Sequence, residues 1–377
     1  LAPAAQAKLT TAKIFSNHMV IQRDLASPVW GWDNPGTEVT VSFAGQQQKA
    51  TTNEHGRWQV KLSPLPVNAT AQTMTITGAA GDTITYNNIL IGDVWICSGQ
   101  SNMEWSVKQS HNPQQEIAQA NHPLIRIFDV QGHLIANSPQ DKLSIATSWQ
   151  PCNPKSVTNF SAVGYYYGRE LHKQSGVPIG LLGTNWGGTK VEPWTPPVGF
   201  RKQPELTALS KNIDAQLINT PAGKVAWTNY AQQVGQWSAA TQKSVAEGRN
   251  VSPAPTSPGP KNHKEACSIY NAMVAPIVGY GVRGAIWYQG ESNAETMDRA
   301  RQHDQLFPLL VDTWRTGWGQ GEFPFLYVQL PAMNRPAWPL FREGQRRALD
   351  QSDEPGLGQL IPRPVKAREG SPDGCHL

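Results

Sequence analysis

The sequence contains few cysteines and few charged side chains for its length. Only four of its 377 residues are cysteine, and 16% are Asp, Glu, Lys or Arg. The cysteines lie far apart and form no C-x-x-C pair, which argues against a zinc site and against a disulfide framework, although one or two bridges would fit the count. These cysteines are Cys97, Cys152, Cys267 and Cys375.

Signatures of metal, membrane and nucleic-acid binding are also missing. No HExxH or related spacing appears, so we expect neither a metal nor a cofactor. No apolar stretch approaches the length of a membrane-spanning helix. The net charge is +4, but Lys and Arg are scattered rather than clustered with aromatic residues, so we expect no nucleic-acid partner. Nothing in the sequence specifies an oligomeric state.

The N-terminal stretch LAPAAQAKLT has no initiator Met and is rich in small residues. A mature terminus left after removal of a signal peptide has this character. We therefore expect a periplasmic or secreted protein.

Glycine and proline are abundant, and the chain contains two regions with different sequence patterns. Within residues 10–95, apolar and polar residues alternate between turn signals such as Asn34-Pro35-Gly36. This pattern predicts a small β-sandwich domain over residues 1–92. From residue 93 to 377, helical stretches lead into strands that end in Gly-rich loops, which predicts an α/β domain with a parallel sheet. Residues at about 200–265 are polar and Pro-rich, and we interpret them as a helical insertion with a long loop.

The segment G-x-S-N occurs twice, each time after an apolar, strand-like run. The first copy holds Ser101 and the second holds Ser292. A serine nucleophile needs a base within reach and donors for the oxyanion that forms on attack. Ser101 stands where a strand gives way to a helix, Asn102 adds an amide donor, and the Gly-Gly pair that ends at Gly188 offers backbone N–H groups. The segment is not a G-x-S-x-G elbow, since Met103 follows, and one such segment alone also fits a turn or a helix cap.

Several long motifs resemble one esterase family. GDVWICSGQSNM, GVPIGLLGTNWGGTKVEPW and VRGAIWYQGESNA are the most specific, and the similarity runs from about residue 12 to about residue 350. Together they resemble the sialate O-acetylesterase family. The resemblance implies an SGNH-hydrolase domain, a flavodoxin-like three-layer fold, after the β-sandwich. It also implies hydrolysis of O-acetyl esters on sugars without a metal.

The resemblance assigns roles to individual residues. Ser101 matches the nucleophile and contributes its own N–H to the oxyanion hole, which Gly188 and Asn293 complete. Ser292 is then not the nucleophile, and the second G-x-S-N serves to supply Asn293. The implied substrate-binding residues are Gln100, Asn102, Trp186, Gly187, Gln289 and Glu291.

The family takes its base from a late D-x-x-H. Asp373 and His376 satisfy that spacing, so His376 would take the Ser101 proton while Asp373 orients the imidazole. The surrounding tail resembles the family poorly. Two functions therefore stay open: a serine esterase that deacetylates sialic acids or other glycans through an acetyl-enzyme, and an impaired enzyme that only binds carbohydrate. A metal-dependent deacetylase would need a ligand cluster that the sequence does not display.

Overall fold

The computed structural model describes residues 8–130, 132–201, 203, 206–351 and 357–360. The strands, in chain order, are β1 (Thr10–Thr11), β2 (Val20–Gln22), β3 (Pro28–Trp32), β4 (Glu38–Phe43), β5 (Gln46–Thr51), β6 (Arg57–Lys61), β7 (Asn68–Gly78), β8 (Thr83–Gly99), β9 (His122–Asp129), β10 (Gln150–Cys152), β11 (Ile179–Asn185), β12 (Gly284–Tyr288), β13 (Phe325–Val328) and β14 (Leu357–Leu360).

The α-helices are α1 (Ser101–Glu104), α2 (Pro113–Gln119), α3 (Pro154–Val157), α4 (Ala162–Ser175), α5 (Pro197–Arg201), α6 (Thr207–Gln216), α7 (Pro221–Ala246), α8 (Met297–Trp318) and α9 (Trp338–Gln351). Short 3₁₀ segments cover Val107–Gln109, Glu192–Trp194 and Ala275–Ile277, and a π-helical turn covers Tyr270–Val274.

Local sequence sets the ends of the two long helices that flank the sheet. The Ser161 hydroxyl caps the start of α4, and the Thr296 hydroxyl does the same for α8. Each helix stops at a glycine with left-handed backbone, Gly176 at φ 69° and Gly319 at φ 63°. Hydroxyl N-caps satisfy first-turn N–H groups, and glycine adopts the left-handed conformation at low cost.

Strand β8 organises the sheet because its two halves differ in sequence. The first half, TITYNN, alternates between exposed and half-buried residues, whereas the second, ILIGDVWICSG, is buried throughout. An alternating strand suits a sheet with one solvated face, and a continuous apolar run suits a central parallel strand covered on both faces. The first half accordingly pairs antiparallel with β7, and the second half pairs parallel with β11 and β12.

The parallel part of the sheet has the order β9-β11-β8-β12-β13-β14, with β10 antiparallel at the β9 edge. A mixed α/β fold with a parallel sheet is therefore confirmed. The strand order differs from the flavodoxin order, which places the first strand between the second and third, whereas here β11 lies between β8 and β9. Periodicity identifies strands but does not specify their lateral neighbours.

The N-terminal strands are divided between two sheets. Strands β2 and β7 join β8, β4 and β5 extend that sheet, and only β1, β3 and β6 form a sheet of their own. The expected boundary between residues 92 and 93 falls inside β8. Hydrogen bonds also cross it: the Tyr280 hydroxyl donates to the carbonyl of Val20 at 2.6 Å, and the Trp149 indole donates to that of Ile14 at 2.8 Å. An N-terminal β-sandwich domain is not confirmed.

The two faces of the parallel sheet bury two hydrophobic clusters. Along β8, Trp95 and Cys97 belong to the cluster that includes residues of α4 and α9, whereas Val94 and Ile96 belong to the cluster that includes residues of α8. Successive side chains of a strand point to opposite faces, so one apolar run supplies both clusters.

Helices α6 and α7 fall within the expected insertion, and Ile213 and Leu217 pack into the core while α7 is largely exposed. The cysteines within the described range are free, buried thiols, namely Cys97, Cys152 and Cys267. Burial raises the pKa of Cys152 to about 12. Among the helices that the structure describes, none combines the length and the apolar character needed to cross a bilayer.

Gly99, the last residue of β8, provides a test of this arrangement. Its φ is +139°, and a Cβ there would overlap the carbonyl oxygen of Tyr288. We expect Gly99→Ala to lower the free energy of unfolding by about 3 kcal/mol or more, because backbone strain and overpacking add. Gly235 in α7 has open space around it, so Gly235→Ala should stabilise by about 0.5–1 kcal/mol. Denaturant unfolding measures both, and equal midpoints for the two variants would contradict the close approach.

Candidate active site

Three adjacent strands end in register at one edge of the sheet. Gly99 of β8 pairs with Asn185 of β11 and with Tyr288 of β12. The following residues stay tied together: the Gln100 N–H donates to the Tyr288 carbonyl at 2.9 Å, and the Trp186 N–H donates to the Gly99 carbonyl at 3.1 Å. The carboxyl ends of parallel strands are where sites of α/β folds form. The serine, glycine and asparagine loops therefore meet at one place.

Ser101 begins α1 and its side chain is exposed. Neither its hydroxyl nor its backbone N–H has a hydrogen-bond partner within the described part of the chain. Gly188 is also exposed, at φ +70° with open space beside its Cα, and its N–H is likewise unpaired among these residues. Two backbone donors and one hydroxyl are thus available to a bound group.

Asn293 is fully buried, and its amide orientation is set by its partners. Its Oδ1 accepts from the Val191 N–H at 2.9 Å and from the Gln289 side chain at 2.7 Å, and its Nδ2 donates to Glu192 Oε2 at 2.9 Å. An amide nitrogen carries two protons, so one remains for another acceptor. Ser292, by contrast, is 9% exposed and stands beside this network.

Glu192 is a site residue that our sequence reasoning missed. It fixes Asn293 and lies 3.4 Å from the Lys190 ammonium. The sequence could have indicated Glu192 through its position in the motif TKVEPW, directly after the glycine loop. A carboxylate that accepts from the amide holds the Asn293 side chain in one orientation, which is how buried polar networks specify geometry.

Gln100 and Gln289 are buried connectors between loops. Gln100 is 2% exposed, and its Oε1 accepts from the Gly290 N–H and from Gln289 Nε2, both at 3.2 Å. Gln289 is 1% exposed, and its own Oε1 is buried without a partner among the described residues. These contacts connect the two loops, and the substrate-binding role that the resemblance implies for both glutamines stays a prediction.

Asn102 and Glu291 contact each other across the site. Asn102 Nδ2 donates to Glu291 Oε1, while Glu291 Oε2 is buried without a hydrogen-bond partner in the described chain. Burial raises the pKa of the Glu291 carboxyl, and the Asn102 hydrogen bond partly opposes that shift. The pair links the first G-x-S-N to the second.

Glu104, also missed from the sequence, holds the glycine loop. Its Oε2 accepts from the Gly187 N–H at 2.6 Å, and its Oε1 lies 2.7 Å from His133 Nε2. The His133 ring stacks on Trp186 at 4.4 Å, and His263, from the end of the insertion, stacks 4.6 Å from the same indole. The Gly187 N–H is thus occupied. Trp186 is half-buried between its neighbours, and its implied contact with substrate stays a prediction.

The expected base residues, Asp373 and His376, lie outside the described residues. Another histidine near this edge of the sheet, His303, is held by local contacts. His303 is buried against the rings of Phe307 and Phe341, and burial lowers its pKa to about 3. No group of three or more His, Cys, Asp or Glu side chains in the described part of the chain could hold a metal ion.

Comparison with known proteins identifies the family. A family model for carbohydrate esterases, described as sialic acid-specific acetylesterase, matches residues 91–212 and 260–354, which is more than half of the chain. The chain belongs to this carbohydrate esterase family. The predicted membership is confirmed, and the unmatched stretch between the two segments contains α7.

Individual relatives agree with this assignment. The sialate O-acetylesterase of Rattus norvegicus is 30% identical over 344 residues, covering 85% of this chain and 59% of the relative. The protein of the same name from Mus musculus is 28% identical over 347 residues, again with 59% of the relative covered. The crystal structure of a carbohydrate acetylesterase from Xanthomonas citri matches with a TM-score of 0.72 at 28% identity, over 94% of this chain and 68% of that chain. This chain spans about three fifths of the length of the two mammalian relatives.

The Glu104 contact predicts a change in hydrogen exchange. In Glu104→Ala the Gly187 N–H loses its charged acceptor, a bond worth about 1.5–3 kcal/mol, so its amide exchange should accelerate by about tenfold or more. Glu104→Gln keeps one acceptor oxygen and should show a smaller increase. Exchange of residues 186–190 followed by mass spectrometry measures this. Glu170→Ala, an exposed carboxylate on α4, is the control, and equal exchange in all variants would contradict the contact.

Proposed function

We propose that this chain is a serine esterase of the SGNH type that removes O-acetyl groups from sugars through an acetyl-enzyme. The observation that carries the proposal is that the Ser101 hydroxyl, which has no partner among the described residues, meets the N–H of Gly188 and the loop of Asn293 at three adjacent strand ends. Membership in the carbohydrate esterase family supports the same reaction class.

In the proposed mechanism, Ser101 Oγ attacks the acetyl carbonyl carbon and forms a tetrahedral intermediate. Three donors stabilise its oxyanion: the N–H groups of Ser101 and Gly188, and the second Nδ2 proton of Asn293. Donors fixed before the reaction stabilise developing charge without reorganisation, which is the role we give to the Glu192 and Glu104 hydrogen bonds. The sugar hydroxyl leaves with the serine proton, and water then hydrolyses the acetyl-enzyme.

For the base we propose His376, oriented by Asp373. The support is their D-x-x-H spacing, which lets one short loop place both side chains. His133 is a poorer base, because its Nε2 contacts Glu104 and its ring stacks on Trp186.

The first test compares the two serines of the repeated segment. Acetate release from p-nitrophenyl acetate should fall by about 10⁴-fold or more in Ser101→Ala, since the nucleophile is lost. Ser292→Ala should retain most activity, and a chelator should not change the rate. Equal losses in both variants would contradict the assignment, and an inactive parent protein would favour a carbohydrate-binding function.

The same assay tests the base. His376→Ala should reduce the turnover number by several orders of magnitude, as removal of a triad member does, whereas His133→Ala should have a smaller effect. Full activity of His376→Ala would exclude the D-x-x-H segment as the source of the base.

A further inference from the structure

A buried arginine lies outside the loops of the candidate active site. Arg126 is in the middle of β9 and is only 4% exposed. Its side chain reaches His18, which precedes β2, and Asn88, which is in the first half of β8. The candidate active site forms instead at the last residue of β8, Gly99. The arginine and its two partners are therefore a separate cluster of polar side chains.

Arg126 has no carboxylate partner within the described part of the chain. Its Nη1 donates to His18 Nδ1 at 3.1 Å, its Nη2 donates to Asn88 Oδ1 at 3.0 Å, and its Nε is buried without a hydrogen-bond partner. Burial lowers the pKa of Arg126 to about 10, and no acidic side chain among these residues opposes that shift. Buried charges are normally paired, as Arg315 is with Glu322. The Arg126 guanidinium thus lacks a counter-charge.

The groups around this charge present hydrogen-bond donors. A guanidinium has no acceptor atom, so His18 Nδ1 and Asn88 Oδ1 both accept from it. Burial, and then Arg126, lower the pKa of His18, so the ring is neutral and carries its proton on Nε2. The Asn88 amide directs its oxygen to Arg126 and keeps its NH₂ group for another partner. A positive charge ringed by donors is the arrangement that binds an anion.

The backbone holds both neutral partners beside Arg126. His18 and Asn88 have left-handed backbone, with φ of 68° and 58°, which is uncommon for residues other than glycine. The His18 N–H donates to the Asn87 carbonyl at 3.1 Å, and the Asn87 N–H donates to Asn17 Oδ1 at 2.8 Å. These bonds fix the turn before β2 against β8. Both partners are half-buried, so a small ion reaches the cluster from solvent.

We propose that Arg126, His18 and Asn88 form a binding site for a small oxyanion, such as a free carboxylate or inorganic phosphate. The planar guanidinium matches the spacing of the oxygens in such an ion, and the imidazole and amide supply neutral donors. The bound ion provides the counter-charge that the protein lacks at this point. The inference does not depend on the proposed esterase function.

Calorimetric titration tests the site directly. Inorganic phosphate and acetate are titrated separately into the parent protein in Tris–chloride buffer, which contains no oxyanion, and sodium chloride at the same ionic strength is the blank. We expect saturable binding of one ion per chain. Binding of acetate alone would assign the site to carboxylates, and binding of phosphate alone would assign it to tetrahedral oxyanions. Saturable binding of neither ion would overturn the inference.

Two variants and a matched control locate the binding. Arg126→Met removes the charge at similar length, and we expect its affinity to fall by about tenfold or more. Asn88→Gly removes only the amide, because glycine accepts the left-handed backbone, and should lower affinity by about fivefold. Asn112→Gly is the control: this asparagine is exposed before α2, with φ 49°. Unchanged affinity in Arg126→Met, or equal losses in the two glycine variants, would overturn the inference.

Denaturant unfolding gives a second readout of the same site. An ion that binds only the folded protein stabilises it, so phosphate should raise the urea midpoint of the parent protein more than that of Arg126→Met. Phosphate also stabilises proteins generally through exclusion from their surfaces, and the difference between the two proteins removes that contribution. In chloride buffer, Arg126→Met should unfold at the same urea concentration as the parent or higher, since it lacks an unpaired buried charge. An equal phosphate effect on both proteins would overturn the inference.

Discussion

The structure depends on a close contact between two backbones at the end of the central strand. Gly99 approaches the carbonyl of Tyr288 so closely that no side chain fits. This contact brings the end of β8 against that of β12, while Asn185 of β11 pairs with Gly99 on the other side. Because all three strands stop at the same level, the loops that follow share one small volume. Ser101 can work with distant parts of the chain only for this reason.

Buried polar side chains keep these loops in place. Gln100, in the loop after β8, accepts a hydrogen bond from the Gly290 N–H in the loop after β12. Glu192, which follows the glycine loop after β11, accepts a hydrogen bond from Asn293 in the loop after β12. Glu104 ties the first helix back to the glycine loop through the Gly187 N–H. Buried polar groups are costly unless paired, so this network favours a single arrangement of the loops. Such rigidity suits a site that must present donors to charge before that charge develops.

The sequence predicted the loops at the carboxyl edge of the sheet better than the arrangement of the strands. The family and the three loops followed from long motifs whose residue types reflect local needs, such as glycine where backbones touch. The order of the strands and the division of the N-terminal strands between two sheets were not predicted, since both depend on which strands lie side by side. Strand β8 has an alternating half and an apolar half, a signal that could have indicated one strand shared by both regions.

Residues that act through others were the hardest to find. Glu104 and Glu192 are ordinary acidic residues in the sequence, and their importance lies in contacts with Gly187 and Asn293 that only folding creates. Trp186 is a related case. Its position beside the glycine loop indicates that it lies near the site, but the sequence does not indicate that His133 and His263 stack on its indole.

The central claim is that Ser101, among all serines of the chain, is the reactive one. The most direct measurement is treatment of the protein with a fluorophosphonate, followed by peptide mapping by mass spectrometry. The account predicts stoichiometric modification of Ser101, with Ser292 unmodified. Labelling of Ser292, or acetyl ester hydrolysis that persists after Ser101 is fully modified, would contradict it.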